Sequence, residues 1–306
     1  MKEITVHAPA TVANLVCGFD VLGLCLEEPY DIMKLRLLDK REVIVRTTDG
    51  FPLPTDPALN TAGAPLLEML AVLRQEVGFE VIITKRIKPG SGIGSSAASA
   101  AGAVVAANEL LGNIFSKEDL VRFAMFGEKV ASGVKHADNI APCIYGGVTL
   151  IRSIFPLDII PISSPELFVT VLHPQIEVRT SDAREILKKE VLLKDAIRQW
   201  GNIAALVAGL MKSDYELIGR SLEDVIIEPV RSILIPGFDI IKSECKSAGA
   251  IGGGISGSGP SIFMLSKDRA TAEIVGAVMR TIYDSIGLNY HIYVTTVNQQ
   301  GVKCFV

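Results

Sequence analysis

Apolar and polar positions alternate around Ile4 and Val6, and again through Met33, Leu35 and Leu37. A period of two predicts half-buried antiparallel strands. Residues 43–45 and 79–84 read as further strands, separated by a loop marked by Pro52, Pro54 and Pro57 and by a helix over about 60–76. A glycine-rich loop at 89–96 then opens an Ala-rich helix. A second helix begins at Ser116, where Ser116 and Asp119 make an S-x-x-D capping box, and runs to about Ser132. A polar segment at 133–139 leads into an apolar strand near 147–151. Pro156, Pro161 and Pro165 punctuate the middle and predict a boundary between an N-terminal domain, 1–160, and a C-terminal domain, 161–306. Beyond it the pattern predicts a strand at 167–172, helices at 183–190, 194–212, 214–226 and 237–247, and a second glycine-rich segment at 249–259. A strand at 261–265, a helix at 268–285 and a strand at 290–296 follow. Strands and helices mixed without a strict βαβ rhythm indicate an α+β fold.

Composition narrows the function classes. Of 306 residues 49% are apolar and 21% charged, which predicts a buried core and excludes wholesale disorder. The net charge is −4, with no basic stripe to attract nucleic acid. Five cysteines, at 17, 25, 143, 245 and 304, contain no CxxC and are odd in number, which fits a reduced, cytoplasmic protein better than a disulfide or zinc framework. The first residues lack an apolar signal core. The most apolar run, 97–107, is built of small residues and falls short of the roughly 20 needed to span a bilayer, so no membrane partner is expected.

The chemistry starts at Pro89-Gly-Ser-Gly-Ile-Gly-Ser-Ser96. Glycine lets backbone N–H groups approach a phosphate, and a helix starting directly afterwards adds free amides and a partial positive charge. Gly90, Gly92 and Gly94, then Ser95, Ser96 and Ala97, meet both conditions. The Lys of a Walker-type loop is absent. Gly92-Ile-Gly94-Ser-Ser-Ala97 matches the dinucleotide fingerprint, but residues 85–88 intervene after the strand and no second strand with an acidic end follows. A turn that merely packs a helix on a sheet is the bland alternative.

Three polar sites stand out. On a helical wheel Glu128 falls between Val121 and Ala124, in the apolar arc that also holds Phe123 and Ala131, with Arg122 and Lys129 opposite. A carboxylate there must be paired or bind a metal; the phosphate loop favours Mg²⁺ over a buried ion pair. His136, Asp138 and Asn139 form a polar island after the same helix. Arg184 is expected in the first turn of a helix capped by Thr180, Ser181 or Asp182, where a cation opposes the helix dipole. It is either a surface Arg paired with Asp182 or Glu185, or a clamp for a substrate carboxylate, a bidentate task that suits guanidinium.

Three segments together resemble the GHMP kinases: Ala8-Pro-Ala-Thr-Val-Ala-Asn14, residues 89–99, and Gly252-Gly-Gly-Ile-Ser-Gly-Ser-Gly-Pro260. They lie in that family's order and span nearly the whole chain. Finer features resemble its homoserine-phosphorylating branch: Asn14-Leu-Val-Cys-Gly-Phe-Asp20, Lys135-His-Ala-Asp-Asn139, Thr180-Ser-Asp-Ala-Arg184, and Pro229-Val-Arg231 before Ile235-Pro-Gly237. The resemblance implies ATP-dependent phosphorylation of L-homoserine, on the route to threonine. It implies an N-terminal domain like ribosomal protein S5 domain 2, a ferredoxin-like C-terminal domain, and a site in the cleft between them. ATP would lie on Pro89, Gly90, Ser91, Gly92, Ile93, Gly94, Ser95, Ser96, Ala97 and Ser99, with Asn60 near the nucleoside. Ser96 and Glu128 would hold Mg²⁺, and Asn139 would lie near the γ-phosphate. Homoserine would meet Asn14, Asp20 for its ammonium, His136, Asp138, Thr180, Arg184 and Arg231 for its carboxylate, and Gly257. Catalysis by positioning and charge neutralisation is expected, with Asp138 as a general base the dissenting reading. Another GHMP substrate, or a nucleotide-binding regulator without turnover, are the alternatives. A homodimer is compatible with the sequence.

Overall fold

The computed structural model describes residues 3–48, 51–178 and 180–305, less the side chains of Thr180 and Ser181. Strands β1 (Glu3–Ala13) and β2 (Leu22–Leu38) pair antiparallel, with Ile4 opposite Leu35 and Val6 opposite Met33. All four side chains are buried, as their alternation predicts. Strand β3 (Val43–Thr47), helix α1 (Gly63–Val72) and strand β4 (Gly78–Thr84) follow, and β3 runs parallel to β4.

Helix α2 (Ser95–Leu110) explains its own composition. It lies on β1 and β2 and is covered by α1, by α3 (Lys117–Ser132) and by α4 (Ile140–Tyr145), so it is buried all round. Only small side chains allow such close approach: a Cβ on Gly102 would stand 2.6 Å from the Met33 sulfur and 2.9 Å from Ala8 Cβ. The capping box forms at the start of α3, Ser116 accepting from the Asp119 N–H while the Asp119 carboxylate accepts from the Ser116 N–H.

Strands β5 (Val148–Ile154) and β6 (Leu157–Ile162) form a hairpin on the edge of the first sheet. The prolines suggested a break here, yet an edge strand tolerates Pro161. Next come β7 (Phe168–Pro174), α5 (Thr180–Glu185), α6 (Leu193–Lys212), α7 (Tyr215–Ser221), α8 (Glu228–Arg231) and α9 (Phe238–Ser247). Strands β8 (Gly252–Ile255) and β9 (Ile262–Ser266), helix α10 (Arg269–Ile286) and strands β10 (Tyr290–Thr296) and β11 (Lys303–Phe305) complete the fold.

The second sheet is antiparallel in the order β10-β7-β9-β8, the 4-1-3-2 arrangement of a ferredoxin-like layer, with α9 and α10 packed on it. Strand β11 leaves this half and pairs with β1, so the first sheet draws on both halves of the chain. Helix α5 is shorter and earlier than the pattern predicts. Arg184 therefore sits in its last turn, where a cation suits the helix dipole rather than opposing it. Among the described residues no helix is long and apolar enough to cross a membrane.

Candidate active site

Where β4 ends, Lys85 turns inward and is almost fully buried. Its ammonium is bound to the Asp31 carboxylate and donates to the Ser95 carbonyl at 2.5 Å and the Ser99 hydroxyl at 2.8 Å. Asp31 also accepts the N–H groups of Arg86 and Ile87 at 2.8 and 2.9 Å. This knot ties the end of β4 to the first turn of α2 and fixes the span of the loop between them.

Within that loop, Gly92 has φ +81°, and a Cβ there would stand 2.4 Å from the Gly259 carbonyl oxygen. Gly94, at φ +69°, caps α2, and a Cβ on it would stand 2.0 Å from Thr11 Oγ1. The second glycine-rich segment clasps the first: Ser256 donates to the Gly92 carbonyl at 2.8 Å and Ser261 to that of Ser91 at 2.7 Å. Gly94 offers no side chain to the helix start, so the first-turn amides of α2 are available to an anion facing the cleft.

Across the loop the Ser96 hydroxyl donates to Glu128 Oε1 at 2.5 Å. Burial pushes the Glu128 carboxyl up, and the Ser96 hydrogen bond and the nearby Lys85 pull it back. Asn139 Oδ1 accepts from Thr11 Oγ1 at 2.8 Å. Beside it Asp138 is buried, and its Oδ1 has no hydrogen-bond partner among the described residues. Burial, with Asp20 and Glu128 adding to it, pushes the Asp138 carboxyl up to about 7.

At the far end of the cleft the backbone is left-handed at three consecutive residues, Asn14, Leu15 and Val16, with φ of 75°, 41° and 66°. That conformation is unfavourable, most of all for a β-branched side chain. Asn14 braces the turn, accepting from the Asp20 N–H at 3.1 Å and donating to the Gly257 carbonyl at 2.9 Å. Arg184 donates to both Asp20 carboxylate oxygens, at 2.9 and 3.1 Å, and lies 3.4 Å from His136 Nδ1. Arg231 is buried and donates to the carbonyls of Ala183 and Gly257 at 2.9 and 3.1 Å. Both guanidinium groups lie over the Phe19 ring. Burial, then the neighbouring Arg184, brings Arg231 down to about 10, still charged at neutral pH. Burial also lowers His136 despite the opposing pull of Asp20.

These groups line one cleft of about 530 Å³. It gathers Asn14, Asp20, His136, Asp138, Asn139, Arg184, Arg231 and Gly257 with Pro89, Gly90, Gly92, Gly94, Ser95, Ser96 and Glu128. Five other expected residues stand behind the wall. Ser91, Ile93, Ala97 and Ser99 are buried under the loop. Asn60 accepts from the N–H groups of Ala62 and Gly63 and donates to the Pro54 carbonyl, so its side chain is committed to its own loop. The Thr180 side chain lies outside the described residues. The cleft also uses Phe19, Thr61, Lys85, Glu177 and Ser258, which the sequence reading did not single out. Phe19, beside Asp20, and Ser258, beside Gly257, had a signal, each sitting in a quoted motif.

Among the described residues no three His, Cys, Asp or Glu side chains converge as a metal cluster. Ser96 and Glu128 offer two hard oxygen donors beside the glycine-rich loop, a donor set that suits a hard cation keeping several waters.

Comparison with known proteins identifies the family and the fold. Residues 64–147 match the family described as GHMP kinases N terminal domain, and residues 205–285 the one described as GHMP kinases C terminal. A homoserine kinase of Chloroherpeton thalassium is 48% identical over 317 residues, covering 99% of each chain. The crystal structure of homoserine kinase from Cytophaga hutchinsonii superposes with a TM-score of 0.95 at 49% identity, covering 100% of this chain and 98% of that one. L. major mevalonate kinase, solved with R-mevalonate, shares the fold at a TM-score of 0.71 and 18% identity, over 96% of each chain.

Proposed function

The chain belongs to the GHMP kinases, and from that membership we infer that it transfers the γ-phosphate of ATP to the side-chain hydroxyl of L-homoserine, forming O-phospho-L-homoserine on the route to threonine. The observation that carries the substrate is the pair of opposed charges, Asp20 and Arg184, in the same cleft as the phosphate loop. An amino acid brings an ammonium and a carboxylate; a neutral sugar brings neither. Both side chains are 35% exposed, and a pair so placed is worth about 0–1 kcal/mol, so exchanging it for the substrate's two charges costs little. Arg184 and Arg231 take the carboxylate, and Asp20 takes the ammonium. Asn14, His136, Thr180 and Gly257 complete that end.

At the other end the first amides of α2 receive the phosphates. Three cations line the cleft among the described residues, and none is spare for them. Lys85 is tied to Asp31, Arg184 to Asp20, and Arg231 to backbone carbonyls. That shortage supports Mg²⁺ as cofactor, held by Ser96 and Glu128; when bound it supplies the charge that screens the β- and γ-phosphate oxygens. Asn139 orients the reacting end, and Asn60 supports the loop beside the nucleoside. Unpaired thiols and small-molecule substrates are in keeping with a cytoplasmic enzyme.

Phosphoryl transfer through a loose transition state needs positioning and charge neutralisation more than a strong base. A second reading, with Asp138 accepting the hydroxyl proton, is favoured by its unpartnered Oδ1 and a carboxyl pushed up to about 7, near the pH at which a general base works best. The test of the function is ADP release from Mg-ATP with L-homoserine, mevalonate, L-serine and galactose. Stimulation by homoserine well above the others is expected; none above background sinks the assignment.

A further inference from the structure

Thr11 on β1 is fully buried and stands outside the lining of the cleft, so no substrate touches it. The β1–β2 register breaks between Pro9 and Thr11, the kind of irregularity that re-aims a side chain beside a site. The Thr11 N–H donates to the Ile93 carbonyl at 3.1 Å, which ties β1 to the glycine-rich loop. Its hydroxyl donates to Asn139 Oδ1 at 2.8 Å and has no other partner among the described residues. Gly94 leaves room for the pair: a Cβ there would stand 2.0 Å from Thr11 Oγ1 and 3.0 Å from Asn139 Oδ1. Three segments far apart in the chain therefore meet at one hydrogen bond.

Asn139 has another use for that oxygen and forgoes it. It is the N-cap of α4, a position that favours asparagine because the side-chain oxygen can accept from first-turn amides. No such bond forms; the oxygen turns instead to a strand 128 residues away. An amide side chain has an acceptor end and a donor end of nearly the same shape, so its partners decide which end faces where. With the amide reversed, the Thr11 hydroxyl would accept from Nδ2, and its own hydrogen would be buried without an acceptor, which is costly. With Oδ1 held by Thr11, Nδ2 is left for the cleft that Asn139 lines. An N–H donor there stabilises the charge spread over a phosphoryl group in transfer, whereas a carbonyl oxygen would repel it. We propose that Thr11 is a positioning residue, whose hydroxyl fixes the Asn139 amide with its NH₂ toward the transferred phosphoryl group. This rests on the proposed phosphoryl transfer to homoserine, with Asn139 at the reacting end.

Thr11→Val keeps the shape and removes the hydroxyl; Thr11→Ser keeps the hydroxyl. Steady-state ADP release with Mg-ATP and L-homoserine is measured for the full chain and for both variants, beside Asn139→Ala and Thr11→Val/Asn139→Ala, with urea denaturation as the control of fold. Thr11→Val should lose roughly ten-fold in kcat, about the worth of one hydrogen bond. Its KM for ATP and for homoserine should hold within about two-fold, and Thr11→Ser should retain kcat within about three-fold. On the Asn139→Ala background Thr11→Val should change kcat by less than about two-fold, because the group it acts through is gone. Should valine prevent folding, Thr11→Ala set against Thr11→Ser makes the same comparison. An unchanged kcat in Thr11→Val, a raised KM for ATP in its place, or losses that multiply in the double variant overturn the positioning role while the function stands. A wild type that releases no ADP with homoserine overturns the function, and this role with it.

Discussion

A carboxylate stripped of water must find a proton, a cation or a donor, and Asp138 has a partner for only part of its need. Its carboxyl is raised from 3.8 to about 7, so below about 4 it is protonated in both the folded and the unfolded chain and has no effect on stability. Between those values the unfolded chain ionises first, and stability falls as pH rises, levelling off above 7. Asp138→Asn removes the ionisation. The variant should therefore gain on the wild type as pH rises from 4 to 7, by on the order of a few kcal/mol, measured by urea denaturation at several pH values. If Asp138 is also the base, the variant loses roughly 10²–10⁴-fold in kcat; retention of activity within several-fold leaves positioning alone. Arg184→Ala tests the other end. It should raise KM for homoserine roughly 10–100-fold while KM for ATP holds within about two-fold; weakened ATP affinity instead would mean that the guanidinium does not hold the carboxylate.

The element most exposed to a single change is the start of α2, because its position hangs on a buried ion pair. Lys85→Met would leave the Asp31 carboxylate, 0% exposed, without its cation. The loss should be about 3–5 kcal/mol, read as a lowered midpoint in urea, with part regained by adding Asp31→Asn. Elements whose cause is local were legible in the sequence: the period-two strands, the capping box, and the Ala-rich helix that announces its own burial. Elements whose cause is a partner were not. Strand β8 reads as part of a glycine-rich segment and β6 as part of a proline-marked domain boundary, yet each is a strand because another strand pairs with it. The same division holds in the site. Glu128 betrayed itself by breaking an apolar arc, whereas Thr11 reaches Asn139 across 128 residues and Lys85 reaches Asp31 across 54, contacts no local pattern records. Asn60 was expected near the nucleoside only from the resemblance, and the demands of its own turn consume its side chain.

At the scale of the molecule, the two glycine-rich segments act as one structure although more than 160 residues separate Ser256 from Gly92 and Ser261 from Ser91. A methyl group on Gly92 would collide with the Gly259 backbone and the Ser256 carbonyl while forcing a left-handed φ on alanine. Gly92→Ala should cost about 1–3 kcal/mol and raise KM for ATP several-fold, seen together in thermal melts and steady-state kinetics; a variant normal in both would mean that the clasp yields easily.

The return of β11 to β1 bears on how the protein is made. Thr5, Val6 and His7 pair with Phe305, Cys304 and Lys303, and just before them the Asn298 N–H donates to the Cys25 carbonyl and the Val302 N–H to that of Cys143. During synthesis the earliest strand therefore emerges from the ribosome some 300 residues ahead of the partner that covers its edge. Until then the nascent chain presents the unpaired side of an eleven-residue strand, the surface on which stray strands add. Chaperone demand should consequently persist until β11 has emerged and covers the edge of β1.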